Sequence, residues 1–475
     1  MTFFSHKNIL FILILLAFST TLFWWFYNPV SDFQKSLPGM DNRPDSSSLT
    51  KEVVKIGEKF EKYEEFSSNL TGKWTRFRGA DFDNQNKETV KLIDKFPENG
   101  AKILWKHKLG EGHSAPVIYN GKVYILDYEE TKKSDALRCF SLIDGKEIWK
   151  RSYKNHVKRN HGMSRTTPAI TDSFIVTLGP KGHAMCSNPH NGDLLWGIDL
   201  VKEFKSEIPF WYTGQCPIIE NNIAIFAPSG TSLLIGVDCK TGNVIWKTPN
   251  PDNFKMSHSS IMPMFFGGRK MYVYAAVGGI VGVAADGDNV GEILWSLKDF
   301  APSVVAPSPL VLENGKIFMT AGYGAGSILF KLKANGNKFT VSILQDFKPK
   351  DGLASEQQTP IFYKGFIFGI LPKDAGALRN QFVCCKQSDV ENLLWTSGKE
   401  YRFGLGPYII ADDKFFILND DGMLTIAKLS TSSFQVLDQA QVLEGHDAWA
   451  PLAIANGKMV LRDSKTMICI DIEKK

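Results

Sequence analysis

Apolar and polar positions alternate along most of the chain in short runs that are separated by tight turns. Residues 111–152 contain four such runs, with Asn120-Gly121 and Asp144-Gly145 at two of the turns between them. Asn-Gly and Asp-Gly readily adopt the positive φ values that tight hairpins require. The pattern predicts four short antiparallel strands, which is the form of one propeller blade.

This unit recurs along the rest of the chain. A proline opens each predicted first strand, and a tryptophan marks most of the fourth strands. The prolines are Pro116, Pro168, Pro217, Pro263, Pro309, Pro360, Pro407 and Pro451, and the tryptophans are Trp105, Trp149, Trp196, Trp246, Trp295 and Trp395. The spacing predicts fourth strands without tryptophan near residues 339–344 and 434–437.

The two ends of the repeat region complement each other. The last proline repeat provides only three strands and ends at residues 467–472, whereas Trp105 lies in a fourth strand that has no blade before it. We therefore expect strand 102–109 to pair with the C-terminal strands and to close the ring without an open edge. The predicted fold is all-β: an eight-bladed β-propeller of four-stranded antiparallel blades over residues 71–475.

The first apolar run of the chain is of a different kind. Residues 9–27 carry no charge, and at ~1.5 Å per residue a helix of this length spans about 28 Å, close to the hydrocarbon core of a bilayer. Trp24, Trp25 and Tyr27 close the run as an interfacial aromatic belt. We predict a transmembrane signal anchor at 9–27 behind a cytoplasmic stub at 1–8.

The expected location is the inner membrane of a bacterium, crossed once, with the propeller in the periplasm. Secretion after cleavage of a signal peptide is the alternative. No cysteine precedes Cys139, which argues against a lipoprotein anchor.

A linker and a short amphipathic helix are predicted at residues 28–70. Pro38-Gly39 and the serines near residue 47 indicate the linker. From about residue 50 to 66, apolar side chains spaced by three and four residues predict one helical stripe. The stripe either docks on the side of the propeller or forms a dimer through residues 49–66.

Composition and charge narrow the classes of function. Charged residues are 22% of the chain and the net charge of +5 is scattered, so no nucleic-acid partner is expected. The seven cysteines are an odd number, and the adjacent pair Cys384-Cys385 is predicted to hold two free thiols in a strand. The sequence contains no Gly-x-Ser-x-Gly, His-Glu-x-x-His or phosphate-loop motif.

Several repeat segments resemble a known family. IDGKEIW at 143–149, HNGDLLW at 190–196 and KTGNVIW at 240–246 resemble the pyrroloquinoline-quinone-like (PQQ-like) propeller repeat of the quinoprotein alcohol dehydrogenase-like superfamily. WTRFRG at 74–79 is similar to the segment that opens many envelope-associated propellers of this group. The resemblance covers residues 74–475 and implies the propeller fold.

Two functional classes share this repeat. Some members are dehydrogenases that bind the quinone with calcium on the propeller axis, and others are scaffolds. The chain resembles the propeller subunit of the outer-membrane β-barrel assembly machinery more than the true dehydrogenases, because its loops between strands are short. In the dehydrogenases a vicinal cysteine pair lies against the quinone, whereas Cys384-Cys385 falls in a third strand, so that role is not transferred.

The residues that precede each first strand are expected at the mouth of the central channel. Arginine can bind a carboxylate through two hydrogen bonds, and aromatic rings can stack on a planar ligand. The candidate ligand-binding residues are His113, His161, Arg165, Trp211, Gln215, His258, Gln357, Arg402 and Trp449. The alternative is that this rim is only solvated. Acidic residues near the mouth, Glu111, Glu356, Glu444 and Asp447, come from different loops and form no recognisable calcium loop.

The sequence thus favours a membrane-anchored, extracytoplasmic propeller that binds or scaffolds other proteins of the cell envelope. Neither catalytic residues nor a metal site nor a cofactor is predicted. A PQQ-dependent oxidoreductase that uses the quinone with calcium, and a receptor for a small anionic ligand at the channel mouth, stay open as alternatives.

Overall fold

The structure is a computed structural model that describes residues 6–27, 53–336 and 338–475. The N-terminal part and residues 54–475 are two separate compact units. Helix His6–Tyr27 contains the predicted span, and its residues 8–27 are long and apolar enough to cross a membrane, with a mean hydropathy of 2.3. Most of the predicted stub, and the linker up to residue 52, lie outside the described residues.

Residues 54–475 form eight antiparallel blades of four strands each, as predicted. Blade 1 has Val117–Tyr119, Lys122–Glu129, Ser134–Ser141 and Glu147–Lys154, and blade 2 has Ala169–Ile170, Ile175–Leu178, His183–Ser187 and Leu194–Asp199. Blade 3 has Ile218–Glu220, Ile223–Phe226, Ser232–Asp238 and Val244–Pro249, and blade 4 has Met262–Phe266, Arg269–Ala276, Gly279–Ala284 and Ile293–Leu297. Blade 5 has Leu310–Val311, Lys316–Ala321, Gly326–Asn335 and Lys338–Phe347, and blade 6 has Ile361–Tyr363, Phe366–Ile370, Phe382–Lys386 and Asp389–Thr396. Blade 7 has Tyr408–Ala411, Lys414–Leu418, Met423–Lys428 and Val436–Gln441, and blade 8 has Ala453–Ala455, Lys458–Arg462, Thr466–Asp471 and Lys102–Lys108.

Three short strands are added at blade edges, and short helices occur between strands. The added strands are Lys59–Lys62 and Lys73–Trp74 in blade 1 and Gln85–Asn86 in blade 7, and the helices are Leu200–Phe204 (α) and Glu313–Gly315 and Gly376–Leu378 (3₁₀).

The apolar core lies between neighbouring blades. Buried side chains of blades 4 and 5 form one cluster, those of blades 2 and 3 another, and so on around the ring. First strands of neighbouring blades contact one another and are buried, whereas fourth strands alternate between buried and exposed positions. The first strands therefore surround the axis and the fourth strands form the outer wall.

Each fourth-strand tryptophan of the early blades packs on a turn of the next blade. Trp149 lies against Gly192 of blade 2, and Trp196 lies against Gly242 of blade 3. These glycines have positive φ, and a Cβ on either would lie within 3.0 Å of the indole ring. In the repeated Gly-x-x-x-Trp pattern, the glycine forms the turn and the tryptophan lies in the strand. The tryptophan of one blade also packs on the glycine of the next blade.

The ring closes as expected. Lys102–Lys108 pairs antiparallel with Thr466–Asp471, which places Trp105 opposite Cys469. Trp105 packs on Gly145 of blade 1, and its Nε1 donates to the carbonyl of Leu142 at 2.9 Å. The two fourth strands without tryptophan also lie where predicted, in blades 5 and 7.

The predicted helix at residues 50–66 is wrong for the part that the structure describes, residues 53–66. Lys59–Lys62 instead pairs with the open edge of the fourth strand of blade 1. Gly57 has a φ of 70°, which ends any helix, and Phe60 covers the guanidinium of Arg151 at 4.7 Å. Backbone hydrogen bonds to the unpaired edge of this strand stabilise the extended conformation more than the weak apolar pattern stabilises a helix. A dimer through residues 49–66 stays a prediction.

Residues 71–92, which we call the strap, cross the channel. Trp74 pairs with the first strand of blade 1, and the Thr75 carbonyl accepts from Ile170 of blade 2. Arg78 is buried, and its Nη1 and Nη2 donate to the carbonyls of Thr359 and Pro360 in blade 6 at 2.8 and 2.9 Å. The strap, which includes the WTRFRG segment at 74–79, thereby closes one end of the channel.

Removal of the Trp105 ring should weaken the closure of the propeller. We expect Trp105→Ala to lower the free energy of unfolding by about 3–5 kcal/mol, because it leaves a cavity and an unpaired carbonyl. Urea unfolding of the full-length protein in detergent micelles, followed by tryptophan fluorescence, measures this change. Ile103→Ala, in the same strand but 48% exposed, is the control. Equal losses in both variants would contradict this role of Trp105.

Candidate functional site

A cavity of about 280 Å³ lies on the propeller axis, at the end where the first strands begin. Loops that lead into all eight blades contribute to its wall, and Phe77 at the tip of the strap forms its floor. The lining residues include His113, His161, Arg165, Thr167, Trp211, Cys216, His258, Ser260, Tyr323, Glu356, Gln357, Gln358, Lys373, Leu405 and Trp449. We call it the axial pocket.

Hydrogen bonds between neighbouring blades hold the lower wall of the pocket. The backbone N–H of Thr167 donates to Cys216 Sγ, that of Cys216 to Ser260 Oγ, and that of Ser260 to Ser308 Oγ, at 2.9–3.2 Å. The N–H of Ser308 donates to Thr359 Oγ1 at 2.8 Å. A small side chain with an acceptor thus recurs at one position of blades 2 to 6. Sequence reasoning missed it, although in blades 2, 3, 5 and 6 this residue directly precedes the strand proline.

Seven of the nine predicted residues line the axial pocket: His113, His161, Arg165, Trp211, His258, Gln357 and Trp449. Gln215 and Arg402 lie outside it. The Gln215 amide bonds with both backbone groups of Ala227, which directly follows the second strand of its own blade. The guanidinium of Arg402 turns to the carbonyls of Ala377 and Arg379.

Other lining residues come from places that the repeat pattern does not single out. Tyr323 and Lys373 belong to loops between second and third strands, and Phe77 belongs to the strap. Glu356, expected only as an acidic residue near the mouth, is 8% exposed in the pocket wall. Whether a loop between second and third strands reaches the pocket depends on how that loop packs, and the repeat spacing does not encode this packing.

One side of the pocket combines arginine with a buried histidine. His113 is 5% exposed and stacks on Trp449, with ring centroids 4.0 Å apart. Burial, together with the nearby charge of Arg165, lowers the pKa of His113 well below its usual range. Arg165 Nη2 donates to the carbonyls of Asn160 and His161, and burial lowers the pKa of Arg165 to about 10, so it stays charged at neutral pH.

A second histidine lies near Arg165. Burial and the charge of Arg165 lower the pKa of His258 to about 4. A Cβ on Gly214 would lie 2.8 Å from the side chain of His258, so a glycine is needed there. Trp211 lies beside His258 and stacks on Tyr323, with centroids 6.0 Å apart. At neutral pH this wall presents one cation and two uncharged imidazoles.

The other side of the pocket carries a carboxylate. Glu356 Oε1 pairs with Lys373 Nζ at 3.1 Å, and Lys373 also lies 5.0 Å from the centre of the Tyr323 ring. The hydrogen bond to Glu356 raises the pKa of Lys373. Glu356 packs over Gly322, where a Cβ would lie 2.5 Å from its Cγ.

Five polar atoms of the pocket residues are buried without a hydrogen-bond partner among the described residues. They are His113 Nδ1, Arg165 Nε, Thr167 Oγ1, His258 Nε2 and Glu356 Oε2. An unpaired buried polar group costs about 1–3 kcal/mol, more when it is charged, and native proteins rarely leave one. This concentration of unpaired groups indicates a binding site.

The residues present do not fit the calcium-bound quinone of the dehydrogenases. Among the described residues, no three His, Cys, Asp or Glu side chains are grouped to hold a metal ion. Among the described residues, Glu356 is the one acidic residue that lines the pocket, and its Oε1 is already paired with Lys373. Calcium requires several oxygen ligands. Cys384 and Cys385 are free and buried in the third strand of blade 6, away from the pocket lining.

Comparison with known families agrees with this architecture. A family model described as outer membrane protein assembly factor BamB matches two overlapping segments, residues 90–207 and 132–338, which together span more than half of the chain. The chain belongs to the BamB family. No curated protein matches the sequence.

Solved structures show the same fold at low sequence identity. BamB from Moraxella catarrhalis aligns with a TM-score of 0.52 and 11% identity, over 78% of this chain and 99% of that one. A europium-containing methanol dehydrogenase gives 0.57 and 11%, over 84% and 89%. Quinohemoprotein alcohol dehydrogenase from Comamonas testosteroni gives 0.56 and 8%, over 85% and 81%. The fold is therefore common to BamB and to the dehydrogenases, and the functional argument rests on the site.

His258 should make stability depend on pH. Its pKa is about 4 in the folded protein and about 6.5 when unfolded, so between these values only the unfolded state binds the proton. The free energy of unfolding should therefore fall as the pH falls through this window, and His258→Gln should reduce that loss by on the order of 1–3 kcal/mol. Urea unfolding from pH 7 to pH 4 tests this, with the exposed His190→Gln as control. Identical pH profiles of His258→Gln and wild type would refute it.

Proposed function

We propose that this protein is a membrane-anchored, extracytoplasmic propeller that binds and positions protein partners in the bacterial cell envelope. Membership of the BamB family is the observation that carries this proposal. The apolar helix His6–Tyr27 supplies the anchor. Among the described residues no group of acidic side chains lines the pocket, which argues against the oxidoreductase alternative. The helix crosses the inner membrane once, and the propeller lies in the periplasm.

The rim of the axial pocket offers the most suitable surface for such a partner. Phe210 is 78% exposed there, and its carbonyl accepts a hydrogen bond from Asn160 at 2.8 Å. Tyr212 donates to the carbonyl of Lys158, so the loops that lead into blades 2 and 3 are joined. The side chain of Arg159 is 75% exposed beside them. Exposed aromatic and arginine side chains on a fixed surface are typical of protein interfaces.

The partner surface can be tested by co-purification. Full-length protein carrying Phe210→Ser should recover about tenfold less partner from detergent-solubilised envelope than wild type, because a central aromatic often contributes more than 1 kcal/mol. Phe265→Ser is the matched control, since Phe265 is 73% exposed at the turn on the opposite end of blade 4. Recovery that Phe210→Ser leaves unchanged, or that both variants lower equally, would contradict a partner at this rim.

The anchor and the topology predict a second result. The protein should stay in the membrane pellet after alkaline carbonate extraction, and protease added to spheroplasts should digest the propeller. N-terminal sequencing should find the helix intact. A mature protein that begins after residue 27 would instead establish the secreted alternative.

The oxidoreductase alternative has its own test. Full-length protein mixed with the quinone and calcium should reduce no dye in the presence of alcohols or sugars. Turnover in that mixture would overturn the scaffold proposal.

A further inference from the structure

The unpaired polar atoms of the axial pocket lie on two opposite walls. Arg165 belongs to the loop that leads into blade 2, and Glu356 to the loop that leads into blade 6. In a ring of eight blades, loops four blades apart face each other across the axis. The pocket therefore has a cationic wall at Arg165 and an anionic wall at Glu356.

Two imidazoles lie near the cationic wall. His113 comes from blade 1, next to the blade of Arg165, and His258 comes from blade 4, midway between Arg165 and Glu356 around the ring. Each imidazole leaves one buried ring nitrogen without a partner among the described residues. In each ring the other nitrogen donates to a backbone carbonyl, that of His161 for His113 and that of Tyr212 for His258, so the unpaired nitrogen of the neutral ring is an acceptor. Arg165 Nε is therefore the donor that this wall offers to an anion.

The anionic wall offers a hydrogen-bond acceptor. Lys373 occupies only Oε1 of Glu356, and the buried Oε2 is unpaired among the described residues. A carboxylate oxygen in this position requires a hydrogen-bond donor, preferably a charged one. A ligand that carries only negative charge leaves Oε2 unpaired and places like charges together.

Apolar surface lies between the two walls. Trp211 and Trp449 flank the cavity, Phe77 closes its floor, and Val304 and Ala306 come from the loop that leads into blade 5. This part of the pocket favours an aliphatic or flat ligand centre. A volume of about 280 Å³ admits a small molecule and excludes a folded segment.

We propose that the axial pocket binds a small zwitterion whose carboxylate and ammonium groups are separated by an apolar spacer. The carboxylate lies at Arg165 and accepts from its Nε, and the ammonium donates to Glu356 Oε2. Both ω-amino acids and short peptides have this chemistry. The site goes beyond the scaffolding proposal and does not depend on it, because the partner surface is the outer rim at Phe210.

Calorimetric titration of the full-length protein in detergent micelles tests the site. The probes are glycine, 4-aminobutanoate, 6-aminohexanoate and glycylleucine, and the controls are hexanoate and hexylamine, which each lack one charged group. A probe with separated charges should bind about tenfold tighter than either control, since each control leaves one wall unpaired. Tighter binding of glycylleucine indicates a peptide, and tighter binding of the ω-amino acids indicates a free amino acid.

Variants then assign the two walls. Arg165→Gln and Glu356→Gln should each weaken the preferred probe by about tenfold, and Glu356→Gln should remove its advantage over hexanoate. Arg402→Gln is the matched control, because Arg402 lies in a corresponding loop but outside the pocket. The thermal unfolding midpoint without probe checks that each variant is folded. If a variant is not folded, the comparison of the probes and controls on the wild-type protein tests the proposal.

The proposal is overturned if no probe binds at about 10 mM. It is also overturned if hexanoate or hexylamine binds as tightly as the zwitterions, or if Arg402→Gln weakens binding as much as Arg165→Gln. Failure of the partner experiment with Phe210→Ser leaves these measurements unaffected, so the two proposals can fail separately.

Discussion

The contact between a fourth-strand tryptophan and the turn glycine of the next blade is the interaction on which this ring depends. It recurs at the boundaries between blades 1 and 2, 2 and 3, and 3 and 4, and Trp105 on Gly145 makes it between the two ends of the chain. Pairing of Lys102–Lys108 with Thr466–Asp471 adds a full ladder of backbone bonds at the same place. The closed ring in turn sets the diameter of the channel and holds eight loops around one axis. Without that closure, Arg165 and Glu356 would not face each other.

The blades could be predicted because each is a local unit. Each blade of about 50 residues carries its own turn dipeptides and its own alternation of apolar and polar residues, and most blades carry a fourth-strand tryptophan. The number of repeats and the shared eighth blade therefore follow from the sequence. Residues 53–66 and the strap are not repeated. Their conformation depends on which strand edge and which carbonyls the finished ring leaves open, and a three-four apolar spacing near Ile56 and Phe60 could not reveal that edge.

The part of the candidate site that could be predicted is the part in which topology alone fixes where a residue lies. A residue just before a first strand must lie near the channel mouth, which is why His113, Arg165 and His258 line the pocket. Whether the side chain points inward is a separate matter. Gln215 lies two residues before its strand proline, whereas His113 and Arg165 lie three residues before theirs, and its amide bonds the backbone of Ala227. The small Cys216 beside it lines the pocket instead. The anionic wall also depends on Lys373, whose loop position the repeat does not fix.

The strap constrains the order in which the propeller can fold. Its partners include Pro360 in blade 6, Tyr408 in blade 7 and Ile454 in blade 8, all of which the ribosome makes long after the strap itself. These contacts have very large sequence separations, which slow folding. The strap therefore cannot reach its final position until blades 6 to 8 have been synthesised, so the floor of the axial pocket is completed only with the last blades.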